Sequence, residues 1–316
     1  MWGLDFLLNP PTGLTIPIIL ALGFVLGLLH GVTPDEHTWP ITFSYSVGSY
    51  STRGGMKSGL TFSAGFTVQR TILAALGFLG LATVYATYNL NGPVYIVVGI
   101  VMFVAGWYLL RGTDVHLPFD HAMERVMGRF FEDHGHHRTS TTSEASPESS
   151  MRPIPLRMAT VHGFVAGWGF GAYATVIVFI LAPQMPNVGW AALVGTFFGL
   201  GTMVMQIVTG ALFARLARLK RLTVAQMQHV GLSTASRTLY IGGLAFTAIG
   251  AIVTAFPRIE GYAVSTGTSI PNLDSIGVAF VLVVGVVGVI GGYNLWKAYR
   301  EIAHPPPAET PQKSGV

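Results

Sequence analysis

The sequence predicts an all-α fold, a polytopic transmembrane helical bundle of about seven spans arranged as two pseudo-repeated halves. Three observations predict it. The chain is 51% hydrophobic and only 10% charged, against roughly 25% charged residues in soluble domains. Apolar runs of about twenty residues recur along it. Its Lys and Arg gather in alternate connections between those runs, as membrane orientation requires. With no cysteine among 316 residues, a disulfide framework and thiolate metal sites are excluded, which leaves His, Asp, Glu, Gln and Met as metal donors. The net charge of +4 is modest and sits in loops, so no nucleic-acid partner is expected. The N-terminal MWGLDFLLNPP lacks a basic stretch, and no removable signal peptide is expected.

The spans follow from apolar length. They are residues 14–29, 58–84 (carrying Gln69 and Arg70), 94–110, 159–182 (opening on His162 and Gly163), 190–213, 239–256 and 276–296. Residues 41–50 are too short and too rich in Ser and Thr for a span; they form either a half-helix beyond a break or an interfacial segment. The connections 53–57, 111–157 and 215–237 and the tail with Lys297 and Arg300 hold most of the basic residues, whereas Arg258 stands alone on the other side. This predicts a multi-pass protein of the cytoplasmic membrane, with the N-terminus outside and the C-terminus and central loop in the cytoplasm.

The chain divides into a first membrane half, 1–111, a hydrophilic His-rich loop, 112–156, a second membrane half, 157–297, and a tail, 298–316. The stretch RTSTTSEASPESSMRP and the tail have the composition of disordered segments. LLHGV in the first half is echoed by TVHGF in the second, and LTFSAGFTVQ by VGTFFGLGTMVMQ, ending in Gln69 and Gln206. By loop charge the first and fourth spans run in opposite senses, as in inverted-repeat transporters. VVGIVMFVAGWYLLR and VVGVVGVIGGYNLWK also match, but in the same sense.

The run LGLLHGVTPDEHT concentrates the chemistry. Gly31 frees the backbone and Pro34 disfavours helix at Thr33, so the helix is expected to break there. His30, Asp35, Glu36 and His37 lie at that break. Two imidazoles and two carboxylates suit a borderline divalent cation; the bland alternative is an interfacial helix end with Asp35 and Glu36 as caps. His162, in a matching His-Gly context, either faces the same cavity or packs within the bundle. Gln69 and Gln206 are candidate pathway residues. Arg70 either pairs with Asp35 or Glu36 or snorkels to the interface. His116, His121, His134, His136 and His137 fall in the central loop, where His-rich tracts collect metal loosely; AMERVMGRFFEDH there has the pattern of an amphipathic surface helix.

No phosphate-binding loop and no nucleophile–base pair is present, so enzymatic activity is not expected. LGLLHGVTPDEH resembles the HG-x-x-P-x-H and H-x4-DH signatures of the nickel/cobalt transporter superfamily, particularly its efflux branch with a His-rich loop between two membrane halves. Here Glu36 sets the second histidine one residue further on, and Arg70 stands where the efflux branch has a histidine. The resemblance implies transport of Ni2+ or Co2+ as substrate, with no tightly bound cofactor and His30, Asp35 and His37 handling the ion. The alternatives are transport of an anion or small solute on Arg70, and a non-transporting subunit of a membrane complex. The expected partners are the lipid bilayer and the ion, with homo-oligomers left open.

Overall fold

The computed structural model describes residues 4–111, 156–169, 171–216 and 222–303; the five loop histidines and the amphipathic segment lie outside them. A short α1 (Leu4–Leu8) precedes α2 (Ile16–Val32), which carries Pro17 in its first turn, where a missing N–H costs nothing. Thr33, ahead of Pro34, is extended (φ −76°, ψ 142°), and α2 ends there. α3 (Trp39–Gly48) resumes beyond the break, again with Pro in its first turn. The Ser51 side chain caps α4 (Thr52–Phe78) by accepting from Gly54 N at 2.9 Å. After α5 (Ala82–Tyr88) comes α6 (Asn91–Arg111).

In the second half, α7 (Leu156–Ala166) stops at a second break, described at residues 167–169 and 171. α8 (Ala172–Thr175) then continues as a π-helical stretch, Val176–Leu181. α9 (Val188–Leu216) and α10 (Val224–Ala255) follow. A two-stranded antiparallel hairpin pairs β1 (Val264–Ser265) with β2 (Ser275–Ile276). α11 (Val278–Val283) passes through a longer π-helical stretch, Val284–Gly291, into α12 (Gly292–Ala303). Among the described residues four helical stretches are long and apolar enough to cross a membrane: Asn91–Arg111, Val188–Leu216, Ala225–Ala255 and Val278–Ala303. They mark an integral membrane protein of all-α architecture.

Small residues let the helices touch backbone to backbone, the packing mode that works where lipid offers no hydrophobic drive. A Cβ on Gly59 would overlap the Gln206 carbonyl, and one on Gly195 the Arg70 carbonyl, so α4 and α9 pack antiparallel. Gly23, Gly27 and Gly31 meet Val194, Phe198 and Thr202 in ascending order, so α2 and α9 run parallel. Gly65, Gln69 and Gly77 of α4 meet Thr160, Gly167 and Val178 in turn. The first and second broken helices therefore run in opposite senses, as the loop charges predict. Gly92, Gly99 and Gly106 of α6 descend along Thr254, Thr247 and Tyr240 of α10. The start of α6 and the end of α10 thus share one face of the bundle. On the opposite face Arg237 Nη2 donates to Glu301 Oε1 at 3.1 Å, tying α10 to α12, and His229 Nε2 lies 3.6 Å from Glu301 Oε2.

Several boundaries move from the sequence reading. The second span ends at Phe78, short of residue 84, where Gly80 turns the chain at φ +74°. The fourth is broken instead of continuous. The sixth begins at Val224, fifteen residues before Leu239, because Thr223 and Gln226 form a capping box. Arg237 is consequently inside α10 and paired, not in a connection. The 41–50 segment is helical within α3, and Pro40–Gly48 is buried throughout, which excludes an interfacial position.

Candidate functional site

The two breaks meet. Around them Asp35 is 1% exposed, His37 1%, His30 2%, Arg70 2% and Glu36 5%, so five ionisable side chains share a dry interior. Asp35 acts as both a cap and a site residue. Its Oδ1 accepts from the His37 backbone N–H at 3.0 Å, and its carbonyl from Trp39 N at 3.0 Å, which starts α3. Its Oδ2 lies 3.8 Å from His30 Nδ1. Glu36 Oε1 is 3.1 Å from His37 Nε2 and accepts from the Tyr95 hydroxyl at 3.2 Å. Each imidazole therefore turns one ring nitrogen toward a carboxylate. The other nitrogens, His30 Nε2 and His37 Nδ1, are buried without a hydrogen-bond partner.

Aromatic rings fix both histidines. His30 stacks on Phe66 at 5.4 Å between centroids, tilts against Phe198 and meets the edge of Tyr173. His37 stacks on Tyr95 at 5.3 Å. Its other side is closed by Gly169 of the second break, where a Cβ would fall within the imidazole. The Gly169 carbonyl accepts from Arg70 Nη2 at 2.9 Å. The guanidinium of Arg70 lies 4.6 Å from the Phe66 centroid, a cation–π contact, and its charge reaches Asp35, His30 and His37. Arg70 is thus buried in the centre and does not snorkel to an interface. Gln69 is fully buried beside Gly167, with neither end of its amide hydrogen-bonded.

Two predicted residues stand apart. His162 Nδ1 has the Tyr45 hydroxyl at 2.7 Å and the Met158 carbonyl at 2.9 Å, partners that it shares with none of the residues around His30. It lines an apolar groove of about 190 Å³ with Val101, Ala105 and Tyr108. Gln206 lies where α9 crosses Gly59, with Thr209 donating to its Oε1 at 3.4 Å. His116, His121, His134, His136 and His137 fall outside the described residues. Conversely, Tyr95 and Tyr173 belong to the centre and were not singled out by sequence reasoning, and Gly169 belongs to it as more than a helix-packing residue. Tyr95 has a signal, one of only two phenols in an otherwise apolar span.

The arrangement holds its donors in pairs. Among the described residues no group of three or more His, Asp or Glu side chains is set to hold a metal ion. Removing the Tyr95 hydroxyl leaves Glu36 short of a donor while keeping the ring on His37, so Tyr95→Phe is expected to cost about 1 to 3 kcal/mol. Thermal unfolding in detergent measures it, and an unchanged midpoint would refute the contact.

No protein-family model, curated protein or solved structure matches the chain.

Proposed function

We propose that the chain is a membrane transporter of a divalent transition-metal ion, nickel or cobalt, handled between its two helix breaks. One observation carries the reading: His30 and His37 each turn one ring nitrogen toward a carboxylate and leave the other buried without a partner. A metal-ligating histidine is set up in that way, oriented and made more basic by a carboxylate behind it. Asp35 and Glu36 offset the ion's charge, and Gln69 adds a neutral donor. Pairs in place of a closed cage suit transport, since binding strong enough to collect an ion must also release it. Arg70 is engaged by Gly169 and Phe66, which favours a charge-balancing role over anion binding.

The larger architecture belongs to the same reading. α2 with α3, α4, α6, α7 with α8, α9, α10, and α11 with α12 make seven crossings. His30 and His162 each precede a break in helices of opposite sense, which supports inverted pseudo-repeats. The central loop and C-terminus face the cytoplasm, and the loop histidines collect ions there. This reading agrees with the resemblance of LGLLHGVTPDEH to the nickel/cobalt transporter superfamily.

Calorimetric titration of Ni(II) and Co(II) into full-length protein whose five loop histidines are changed to Ala tests the centre. Saturable binding of about one ion per chain is expected, weakening in acid as imidazoles protonate. It should vanish when His30 and His37 are also changed to Ala. Binding that survives this double change would refute the assignment.

A further inference from the structure

Residues 256–277, which the function above leaves unused, fold over the centre. They leave α10 on the face where α6 begins, and Tyr95 lies about one turn inside that face. The β1–β2 hairpin closes the segment into a loop. Within it Pro271 is buried and Asn272 has φ +67°, a left-handed conformation that asparagine tolerates better than most residues. Asn272 Nδ2 is buried without a partner. Its Oδ1 and Asp35 Oδ2 flank Gly171, at 4.0 and 3.8 Å from where a Cβ would stand. Tyr173, 1% exposed, presents its edge to His30. Its hydroxyl faces the Thr33 side chain without a hydrogen bond of ordinary geometry. Two carboxylates of the loop complete the set: Asp274 is within electrostatic reach of Tyr173, and Glu260 of Tyr95.

We propose that this loop is the mouth through which the divalent cation exchanges between water and the centre, with the Asn272 amide and Tyr173 hydroxyl as the polar step between Asp274 and Asp35. The inference rests on the function proposed above. A hydrated divalent ion sheds water only as oxygen ligands replace it. Along this line a surface carboxylate, a neutral amide and a phenol come before the buried carboxylate, so the ion exchanges its shell in stages. The unpartnered Asn272 amide, otherwise costly in a buried position, then lies where the passing ion needs a polar group.

The absence of cysteine makes any introduced thiol unique. Full-length protein is reconstituted in sealed vesicles carrying Asn272→Cys, with Tyr173→Cys as a second variant should the first fail to fold. The exposed Thr268→Cys marks the hairpin face and the exposed Ala225→Cys the opposite face. A membrane-impermeant thiol reagent should modify Asn272→Cys from the Thr268 side alone. Ni2+ or Co2+ should slow that modification several-fold, and not when His30 and His37 are Ala. Modification only from the Ala225 side would overturn the mouth and leave the metal centre standing. Modification from the Thr268 side that no divalent ion slows would uphold the path and overturn the metal reading.

Discussion

Gly169→Ala is expected to abolish movement of the divalent ion, whereas Gly285→Ala, in the π-helical stretch of the last span, leaves it near the unsubstituted level. The difference is one of space. A methyl group at 169 would occupy the volume of the His37 imidazole, while one at 285 meets nothing within 4 Å. To admit the methyl, the His37 ring must leave its stack on Tyr95, or the backbone at 167–169 must withdraw and take with it the carbonyl that holds Arg70. Overpacking of this kind costs about 1–3 kcal/mol in ordinary cores, but here the displaced group is the proposed ligand, so activity falls much further than stability. Ion uptake into vesicles, measured beside thermal unfolding of both variants, checks this. Equal uptake by the two would show that Gly169 does not fix His37.

Arg70→Ala is expected to give the largest loss of stability of any single change at the centre. It removes the one permanent cation from a region where Asp35 and Glu36 are 1% and 5% exposed. Stripping the compensating charge from buried ions costs about 3–5 kcal/mol. Arg70→Lys should restore little, because an ammonium lacks the planar fork that reaches the Gly169 carbonyl while lying on Phe66. Adding Asp35→Asn to Arg70→Ala removes one unbalanced charge, so the double variant should unfold at a higher temperature than the single. Such non-additivity is the signature of direct coupling. A double variant as unstable as the sum of the two would show that Arg70 stabilises the fold through packing alone.

The centre was legible in the sequence to the extent that local chemistry defined it. Pro34 after Thr33 stopped α2 as expected, and His30, Asp35, Glu36 and His37 are buried where it stops. Arg70 was legible as a buried charge in need of compensation, but not as a donor to Gly169, a contact ninety-nine residues away in the chain. The glycines of HGFVAGWGFGAY have the density of helix-packing residues. Gly163 is one, against the Phe62 carbonyl, but Gly169 serves a break that has no proline to announce it. For His162 both readings stood open, because a shared His-Gly pair says nothing about which neighbours the ring will face. The early start of α10 was written in Thr223 and Gln226 and was obscured because hydropathy weighs only the apolar part of a helix.

The π-helical stretch Val284–Gly291 carries one residue more than an α-helix would need for the same turns. That surplus residue acts as a phase setting. An α-helix advances about 100° per residue, so everything after Gly291 is rotated by that amount from where an uninterrupted helix would put it. Glu301 meets Arg237 and His229 in that rotated phase, so the ionic clasp at one end of the last helix follows a winding fault some ten residues upstream.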